Sequence, residues 1–402
     1  MPSARARRAT MPESRALRTD VLILGGGIAG LWTLTLLRER GIDAWLLDTA
    51  LPGGVQTLAS QGIIHGGAKY ALGGQLTASA RAIAGMPALW RARLAGDGAP
   101  DLSALRVLAS HQYLWSTHAL GSRLAGFFAE KLMRERMEAV DTPPAGLDAP
   151  EFVGQIYRLD EPVLDVPHLQ RLLLAANRGR VIAPLRLDAL DAGARQLHGA
   201  WRGERLRIDY ERLVLAAGAG NGPLRERLGL PPRMQRRPLH MVMARGRLPA
   251  LHAHCLGAGA NPRLTITSYP LSDGRMLWYL GGQLAEDGVG REPSRQRAVA
   301  RETLAELLPW IAQRELQWAS WAVDRAEIEN HGRRPERPAL IDDGVVLTLW
   351  PTKLAFAPLL AAQVAGRLAA AIPARAGEPF QAPAPPCAPP PWERVKWHPT
   401  PR

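Results

Sequence analysis

The sequence predicts an α/β protein in which an antiparallel sheet is inserted into a domain built on a parallel sheet. Three observations in the 402-residue chain predict this class. A short apolar run near the start leads through a glycine-rich turn into a helix, a second apolar run near the middle ends in alanines and glycines, and a third precedes a helix near the end. Between the second and the third, residues 236–325 carry the short runs and turns of antiparallel strands.

The N-terminal unit determines the prediction for the first domain. Residues 21–24 are an apolar run of the kind found inside a parallel sheet, residues 28–40 fit a helix, and residues 44–47 are a second apolar run that ends on Asp48. The glycines of residues 25–30 have the G-x-G-x-x-G spacing, with an acid about 20 residues further on. Strand, turn, helix, strand and acid in this order predict a Rossmann-like fold that binds an adenine dinucleotide.

Each residue type in this unit has a chemical reason. Gly25 makes the tight turn, Gly27 lets a pyrophosphate approach the backbone, and Gly30 lets the helix pack close to the strand. The helix N-terminus faces the phosphates, and the Asp48 carboxylate accepts hydrogen bonds from a ribose diol. The cofactor-binding residues predicted here are therefore Gly25, Gly27, Ile28, Ala29, Gly30 and Asp48.

Residues 51–74 form a segment of small residues that can run close against a flat ligand. Glycine, threonine and serine are dense in it, so that backbone amides and small side chains make its surface. We expect Thr57, Gln61 and Gly62 to contact the cofactor.

The rest of the first domain continues the α/β pattern. Helices are predicted over residues 75–94 and 120–140, and Asp165 is a suitable N-cap for a helix over residues 168–177. Strands are predicted at residues 181–187 and 212–215.

The strand at residues 212–215 is the second strong signal, because it ends in Ala-Ala-Gly-Ala-Gly. Small residues at the carboxyl end of a parallel strand allow contact with the ribose or pyrophosphate of a cofactor. We expect Leu187, Ala217 and Gly218 to contact it.

The inserted sheet is predicted from three runs, residues 239–243, 264–269 and 276–280, with a turn at residues 272–274. A helix over residues 294–308 follows. We predict that this sheet forms a substrate domain.

The chain then returns to the first domain through a strand at residues 345–349 and a helix at residues 358–371. Residues 373–402 hold ten prolines and predict an extended, unfolded tail, in which Trp392 and Trp397 are candidates for docking on a partner. The predicted division is a basic N-terminal tail (1–18), the first part of the dinucleotide-binding domain (19–235), the substrate domain (236–325), the C-terminal part of the dinucleotide-binding domain (326–372) and a Pro-rich tail (373–402).

The formal net charge of +13 lies partly in the two ends of the chain. Residues 1–18 carry +4 and residues 373–402 carry +2. Only four of the 50 basic residues are lysines, a bias that points to the base composition of the gene. We interpret the charge as a solvated basic surface and expect no nucleic-acid partner, with an RNA-binding protein as the alternative.

The sequence predicts no transmembrane segment and no metal site. Residues 21–37 are uncharged, but the run is shorter than the roughly 20 residues that a span needs and contains the glycine turn. Cys255 and Cys387 lack the spacing of a metal or redox pair, so that a reducing, cytoplasmic setting is expected.

Two further segments resemble motifs of a known family. Residues 61–70, Gln-Gly-Ile-Ile-His-Gly-Gly-Ala-Lys-Tyr, are similar to a Ser-Gly-Val-Ile-His-x-Gly stretch, and residues 332–338, Gly-Arg-Arg-Pro-Glu-Arg-Pro, to a Gly-x-Arg-Pro-x-Arg-Pro motif. With the N-terminal unit and the strand at residues 212–215, they make residues 19–372 resemble the D-amino-acid oxidase-like (DAO) family of FAD-dependent oxidoreductases. The nearest branch is that of the hydroxy-acid and glycerol-3-phosphate dehydrogenases.

The chain departs from the family pattern at three places. Gln61 stands where a serine is usual and Ala59 where an arginine is common. Residues 350–353, Trp-Pro-Thr-Lys, replace the glycine-rich loop before the last helix.

The resemblance implies FAD as the cofactor and a Rossmann-like FAD-binding domain with an inserted antiparallel-sheet substrate domain (α+β). A nicotinamide-using disulfide reductase would need C-x-x-C and a second G-x-G-x-x-G, and neither is present. The electron donor is therefore expected to be the substrate itself.

Three residues are candidates for the chemistry of the site, and the resemblance implies the role of the first of them. Arg334 matches the motif arginine that pairs with the substrate carboxylate, a task for a planar bidentate donor. His65 would take the substrate proton or contact the flavin, and a covalent bond to the flavin is a second possibility. Lys353 would place a positive charge beside the reduced flavin. The alternatives are a surface arginine, a packed structural histidine and a lysine that extends along the surface.

The inserted sheet would roof the flavin. Tyr269, Tyr279 and His240 either line a substrate pocket there or belong to the core, and Trp278 is expected in the core.

The leading hypothesis is an FAD-dependent dehydrogenase or oxidase that removes a hydride from a small amino acid or hydroxy acid, a CH-NH or CH-OH donor. Dioxygen and a quinone stay open as electron acceptors. A flavin-dependent RNA-modifying or RNA-bound protein and a non-catalytic FAD-holding partner subunit are the alternatives.

Overall fold

A computed structural model of the protein describes residues 15–66, 83–117, 137–257, 261–375, 377 and 383–401. The strands, in chain order, are β1 (Arg15–Leu24), β2 (Ala44–Leu47), β3 (Val107–Ala109), β4 (Gln112–Thr117), β5 (Met137–Ala139), β6 (Gly154–Leu159), β7 (Val163–Leu164), β8 (Val181–Ile182), β9 (Arg186–Asp191), β10 (Gln196–Trp201), β11 (Glu204–Leu215), β12 (Met234–Gly246), β13 (Ala253–Cys255), β14 (Leu264–Pro270), β15 (Met276–Gly281), β16 (Gln317–Ile328), β17 (Ala339–Asp343), β18 (Val346–Trp350) and β19 (His398–Pro399). The α-helices are α1 (Ile28–Glu39), α2 (Met86–Leu94), α3 (Val166–Ala176), α4 (Asn221–Arg227), α5 (Gln283–Glu286), α6 (Pro293–Leu307), α7 (Ala357–Ala369) and α8 (Pro391–Arg394), and two 3₁₀ turns span Gly218–Gly220 and Leu354–Phe356.

The first sheet is built on the parallel strands that the sequence predicts. Six of its eight strands follow one another as β17-β18-β11-β1-β2-β8, and every neighbouring pair from β18 to β8 is parallel. The other two, β10 and β9, add an antiparallel extension beside β11. The helices α1 and α7 pack on one face, where Leu34, Leu360 and Val364 are fully buried. The carboxyl ends of β1, β2 and β11 therefore meet at one edge, which is where such sheets bind ligands.

The second sheet is mostly antiparallel, in the order β19-β16-β12-β15-β14-β13-β4-β6-β5, and only the pair of β13 and β4 is parallel. The predicted antiparallel strands at residues 239–243, 264–269 and 276–280 correspond to β12, β14 and β15. The sheet also takes β4, β5, β6 and β19 from outside the predicted insertion at residues 236–325. The domain boundaries themselves stay a prediction.

Several predicted helices agree with the structure. Helices α1, α6 and α7 match the predictions within about two residues, and Asp165 caps α3 by accepting a hydrogen bond from the backbone N–H of His168 at 3.0 Å. Of the helix predicted at residues 75–94, the first eight residues lie outside the described residues and α2 covers most of the rest.

Two predicted segments have wrong bounds. The helix predicted over residues 120–140 lies mostly outside the described residues, but residues 137–139 at its end are the edge strand β5, which pairs with β6. The basic tail was predicted to reach residue 18, yet β1 begins at Arg15 and pairs in register with β11 from Leu206 onward. In both cases a neighbouring strand supplies backbone hydrogen bonds that local composition does not reveal.

The C-terminal segment is not an unfolded tail. Residues 383–401, here called the C-terminal strap, cross from the small-residue loop of the first domain to the second sheet. The backbone N–H of Ala388 donates to the carbonyl of Pro52 at 3.1 Å, and Arg394 Nη1 donates to the carbonyl of Gly54 at 2.6 Å. At the far end β19 pairs with β16. The prolines do keep the segment extended, but Trp392 fixes it to the protein, because its ring packs against Tyr269 with centroids 4.5 Å apart.

We expect the substitution Trp392→Ala to detach the strap. Trp392 is 8% exposed, and truncation of a buried tryptophan costs about 3–5 kcal/mol. Limited proteolysis should then cleave within residues 383–401, and the thermal unfolding midpoint should fall. Lys396→Ala, at an exposed position of the same strap, is the control and should change neither measurement. Unchanged proteolysis of the Trp392 variant would show that the ring does not fasten the strap.

Candidate functional site

A cavity of about 990 Å³ lies between the two sheets. Its walls come from the carboxyl ends of β1, β2 and β11, from the loop after β2, and from the facing strands of the second sheet. Ligand sites usually occupy roughly 300–1,000 Å³, so this cavity is large enough for a ligand of several rings. It lies at the edge that the topology of the first sheet favours.

The glycine turn forms one end of the cavity. Gly25 has φ +117°, and a Cβ on it would come within 2.5 Å of the carbonyl carbon of Ala216 on the neighbouring strand. A Cβ on Gly30 would overlap the carbonyl oxygen of Gly25. Gly30 therefore has the packing role that the sequence predicts, and it does not line the cavity. A Cβ on Gly27 would meet only Thr57 Oγ1, at 3.0 Å. Gly27 is therefore open toward the cavity, as an approaching phosphate requires.

Asp48 lies where β2 ends at the same edge. Its Oδ2 accepts a hydrogen bond from the backbone N–H of Gly26 at 2.7 Å, and its Oδ1 accepts one from Ala50 at 2.9 Å. Burial raises the pKa of this carboxyl, and the backbone donors act in the opposite direction. A carboxylate fixed in this way at the cavity wall is suited to accept hydrogen bonds from a ribose diol.

The small-residue loop holds the two sheets together around the cavity. Thr57 Oγ1 accepts a hydrogen bond from the backbone N–H of Ile28, at the start of α1, at 3.1 Å. Gln61 Nε2 donates to the carbonyl of Tyr279 on β15 at 2.8 Å. Gly62 has φ +73°, and a Cβ on it would overlap the carbonyl oxygen of Leu164. The loop thus presents backbone and small side chains to the cavity.

Beside the glycine turn, the cavity wall contains the end of β11 and the start of β9. The backbone N–H of Ala217 donates to Asn221 Oδ1 at 2.8 Å, and Gly218 has φ +57° in the following 3₁₀ turn. Leu185 and Leu187 line the cavity beside them. This is an apolar slot next to Asp48, suited to a purine ring.

His65 enters the cavity from the end of the small-residue loop. Its Nδ1 lies 3.2 Å from Glu161 Oε2, and its ring stacks on that of His254 with centroids 5.7 Å apart. Glu161 is 2% exposed and also accepts a hydrogen bond from the backbone N–H of Gly66 at 2.6 Å. His65 is thus oriented by a buried carboxylate.

Arg334 lines the cavity from the turn that follows β16, beside Arg325 at the end of that strand. Arg325 pairs with Glu286 at 3.3 Å. Burial lowers the pKa of Arg325, and the nearby guanidiniums of Arg237 and Arg334 lower it further. The guanidiniums of Arg325 and Arg334 share this part of the wall with the carboxylates of Glu286 and Asp324.

Lys353 lines the cavity before the last helix. It is the N-cap of the 3₁₀ turn Leu354–Phe356, which leads into α7, and its Nζ lies 5.2 Å from the centre of the Phe356 ring. Thr352 has φ +59°, the left-handed conformation that glycine adopts without cost. The Trp-Pro-Thr-Lys segment therefore contains a left-handed backbone conformation that usually requires glycine, although the residue there is a threonine.

The geometry fits a flavin adenine dinucleotide. The glycine turn leaves backbone room for a pyrophosphate, Asp48 offers a ribose acceptor, and the cavity continues past the small-residue loop to a second, polar end. The backbone N–H groups at the start of α1 add the partial positive charge that phosphates need.

Comparison with known proteins identifies the family. Residues 20–348 match the family described as "DAO: FAD dependent oxidoreductase". The chain is 48% identical over 399 residues to a Pseudomonas aeruginosa protein named probable FAD-dependent oxidoreductase, covering 95% of this chain and 99% of that one. This chain belongs to the DAO family of FAD-dependent oxidoreductases.

Solved structures agree with this assignment. The crystal structure of an FAD-dependent oxidoreductase from Pseudomonas aeruginosa matches with a TM-score of 0.79 and 43% identity, covering 96% of this chain and 99% of that chain. Glycine oxidase from Geobacillus kaustophilus shares the fold at a TM-score of 0.60 and 17% identity, covering 87% and 95%. L-α-glycerophosphate oxidase from Mycoplasma pneumoniae, solved with FAD bound, does so at 0.63 and 14%, covering 90% and 97%. The predicted family, fold class, enzyme class and FAD cofactor are confirmed.

The structure of this oxidoreductase brings most predicted site residues to one cavity. Of those residues, only Gly30 does not line it; the residues in the wall are Gly25, Gly27, Ile28, Ala29, Asp48, Thr57, Gln61, Gly62, His65, Leu187, Ala217, Gly218, Arg334 and Lys353. Their individual roles stay predictions.

The tyrosines of the second sheet belong to the core. Tyr279 is fully buried and donates through its hydroxyl to the carbonyl of Ala59 at 3.0 Å, and Tyr269 packs on Trp392. His240 is also buried and bonded to the carbonyl of Gly288 at 3.1 Å. Of the two interpretations left open for these residues, the core interpretation is correct, and Trp278 is a core residue as expected.

Glu161, His254 and the arginine–glutamate pair Arg325–Glu286 were not predicted from the sequence. None of them lies in a recognisable motif, and His65 and Glu161 are 96 positions apart. The same holds for the strap residues Ala388 and Arg394, which also line the cavity.

None of the helices among the described residues is both long and apolar enough to cross a membrane. In the same part of the chain, no group of three or more histidine, cysteine, aspartate or glutamate side chains could hold a metal ion.

Proposed function

We propose that this FAD-dependent oxidoreductase oxidises a small amino acid or hydroxy acid, whose carboxylate binds to Arg334. The observation that carries the proposal is that Arg334, His65 and Lys353 line the same cavity as the glycine turn. An arginine, a histidine and a dinucleotide cradle in one cavity are what such a reaction needs. The named activities of two structural relatives, on glycine and on glycerophosphate, indicate that this fold accommodates both amine and hydroxyl donors.

The residues of the chain divide the work as follows. Bound FAD supplies the two-electron oxidant. Arg334 orients the substrate through charge-assisted hydrogen bonds to its carboxylate. His65 accepts the proton that leaves the substrate, since an imidazole titrates near neutral pH. Lys353 places positive charge at the cavity wall, where it would stabilise added negative charge.

Anaerobic mixing tests the proposal. Purified, FAD-loaded protein is mixed with a panel of small 2-amino and 2-hydroxy acids, together with the corresponding amines and alcohols that lack the carboxylate. We expect bleaching of the flavin absorbance by acids of the panel and none by the compounds without a carboxylate. Bleaching that is equally fast without the carboxylate would overturn the proposal. Subsequent addition of dioxygen or a quinone identifies the electron acceptor.

We expect the substitution Lys353→Met to lower the reduction potential of the bound flavin. Reduced flavin gains negative charge, and removing a nearby cation would destabilise it by on the order of 1.4 kcal/mol, or about 30 mV for two electrons. Any sulfite adduct should weaken for the same reason, whereas the affinity for a substrate carboxylate should hardly change. Lys396→Met, on the exposed part of the strap, is the matched control. A flavin reduction potential equal to that of the control would show that Lys353 does not act on the flavin.

A further inference from the structure

His65 stands opposite Glu161 in a short antiparallel pairing. Ile63 and Val163 form an antiparallel bridge, Ile64 N–H donates to the carbonyl of Pro162 and Leu164 N–H donates to that of Gly62, both at 2.9 Å. In the same register, residue 65 is opposite residue 161. Because directly opposed side chains lie on the same face of a pairing, the backbone itself brings the imidazole and the carboxylate together.

The carboxylate of Glu161 has three hydrogen-bond partners. Its side chain is 3% exposed, Oε1 accepts from the backbone N–H of Gly66 at 2.6 Å, and Oε2 lies 3.2 Å from His65 Nδ1. Gln112 Nε2 on β4, itself fully buried, also donates to Oε2. Because a carboxylate accepts hydrogen bonds, this contact favours the tautomer of His65 with the proton on Nδ1, in which Nε2 is the basic nitrogen of the ring.

We propose that Glu161 is a positioning residue that fixes His65 as the general base, and that this pair makes the site specific for CH-OH rather than CH-NH donors. The inference rests on the proposed function of the cavity, and it names the substrate class as small 2-hydroxy acids.

The chemistry of the two donor types supports this choice. When a carbon that bears a hydroxyl loses its hydrogen as a hydride to FAD, the O–H bond electrons form the carbonyl and the hydroxyl proton must leave. His65 Nε2 is the acceptor for that proton, and without a base the step would produce a strongly acidic protonated carbonyl. An amine differs, because once its ammonium group has lost a proton to water the nitrogen lone pair forms the C=N bond directly, and no further proton has to move in the hydride-transfer step. A base fixed by a buried carboxylate is therefore expected in a site for alcohols.

Two titratable groups face His65 among the described residues. Glu161 faces it from the segment before β7, and His254 faces it from β13, with its own Nδ1 held 2.8 Å from Thr265 Oγ1. Gln112 is neutral. Removal of the Glu161 charge thus changes a carboxylate that the structure shows in contact with this imidazole.

The substrate class is tested on the unmodified, FAD-loaded protein. Pairs of 2-hydroxy and 2-amino acids with the same side chain are compared under anaerobic conditions. General-base catalysis typically contributes 10²–10⁴-fold, so we expect the hydroxy acid to bleach the flavin at least about 100-fold faster. Faster bleaching by the amino acids would overturn this inference and leave the proposed function intact. Bleaching by neither class would overturn both.

The role of Glu161 is tested with Glu161→Gln, which keeps the shape and removes the charge. We expect the limiting rate of flavin reduction by the hydroxy acid to fall about 100-fold or more, with unchanged half-saturation and flavin spectrum. The acid-side break of the pH–rate profile should move to lower pH, because a neighbouring carboxylate favours the protonated imidazole. A rate and profile equal to those of the unmodified protein would overturn the assignment.

Two further measurements separate a positioning role of Glu161 from an effect on folding. Nitrogen NMR of histidine-labelled protein should show the Nδ1–H form of His65, and the signal is assigned to His65 because it disappears in His65→Gln. Glu161→Gln should shift the tautomer equilibrium of His65 in the resting protein, before any substrate is added.

Asp43→Asn is the matched control, because Asp43 is a buried carboxylate that pairs with Arg180 at the other end of β2, outside the cavity wall. It should lower thermal stability and leave the pH break in place. If Glu161→Gln does not retain FAD, Glu161→Asp keeps the charge, and loss of the Nδ1–H signal in that variant would contradict the proposal.

Discussion

Replacing Gly27 with valine should yield a folded protein that purifies without FAD. The added Cβ would meet only Thr57 Oγ1, at 3.0 Å, so that the fold has few contacts to lose. The side chain would instead fill the space over the glycine turn, where a pyrophosphate must approach the N-terminus of α1. The measurement is the flavin absorbance per polypeptide after purification, with circular dichroism as the check on folding.

The control for this substitution is Gly366→Val. Gly366 lies in α7, and nothing is within 4 Å of a Cβ placed there. This variant should keep its full complement of FAD. If Gly27→Val also retained FAD, the pyrophosphate would have to bind elsewhere, and the function of the glycine turn would be packing alone.

Replacing Arg334 with alanine should raise the substrate concentration needed for half-maximal flavin bleaching about a hundredfold. Loss of a charge-assisted bidentate contact in a closed site costs on the order of 3 kcal/mol. The spectrum of the oxidised flavin should hardly change, because the predicted contact is with the substrate. Anaerobic titration of bleaching against substrate concentration measures the effect.

The turn that carries Arg334 offers its own control. Arg337 is an exposed arginine of the same Gly-Arg-Arg-Pro-Glu-Arg-Pro segment and does not line the cavity. Arg337→Ala should therefore leave the titration unchanged. An equal loss in both variants would mean that the general charge of the turn, and not a specific contact, attracts the substrate.

The cofactor end of the site was predictable because its constraints are local. Gly25 has φ +117°, and Gly30 must approach the carbonyl of Gly25. Both requirements for glycine therefore arise from contacts within a segment of six residues. The position of Asp48 in the sequence is set by the combined length of one strand, one helix and a second strand. Short-range geometry of this kind leaves a clear pattern in the sequence.

The other end of the site could be predicted only in part, because its contacts join distant segments. His65 was found through its motif, whereas Glu161 is 96 residues away in a stretch without a pattern. The strap gives a second example, since its prolines correctly predict an extended chain but say nothing about where Trp392 docks. That position depends on the shape of the surface around Tyr269, which only the folded sheet supplies.

The decisive measurement is a crystal structure of the FAD-loaded protein with a non-oxidisable small carboxylate inhibitor. We expect the pyrophosphate at Gly27 and the start of α1, and the inhibitor carboxylate on Arg334 within the same cavity as His65. A carboxylate bound away from Arg334, or an FAD whose pyrophosphate does not meet the glycine turn, would contradict this expectation.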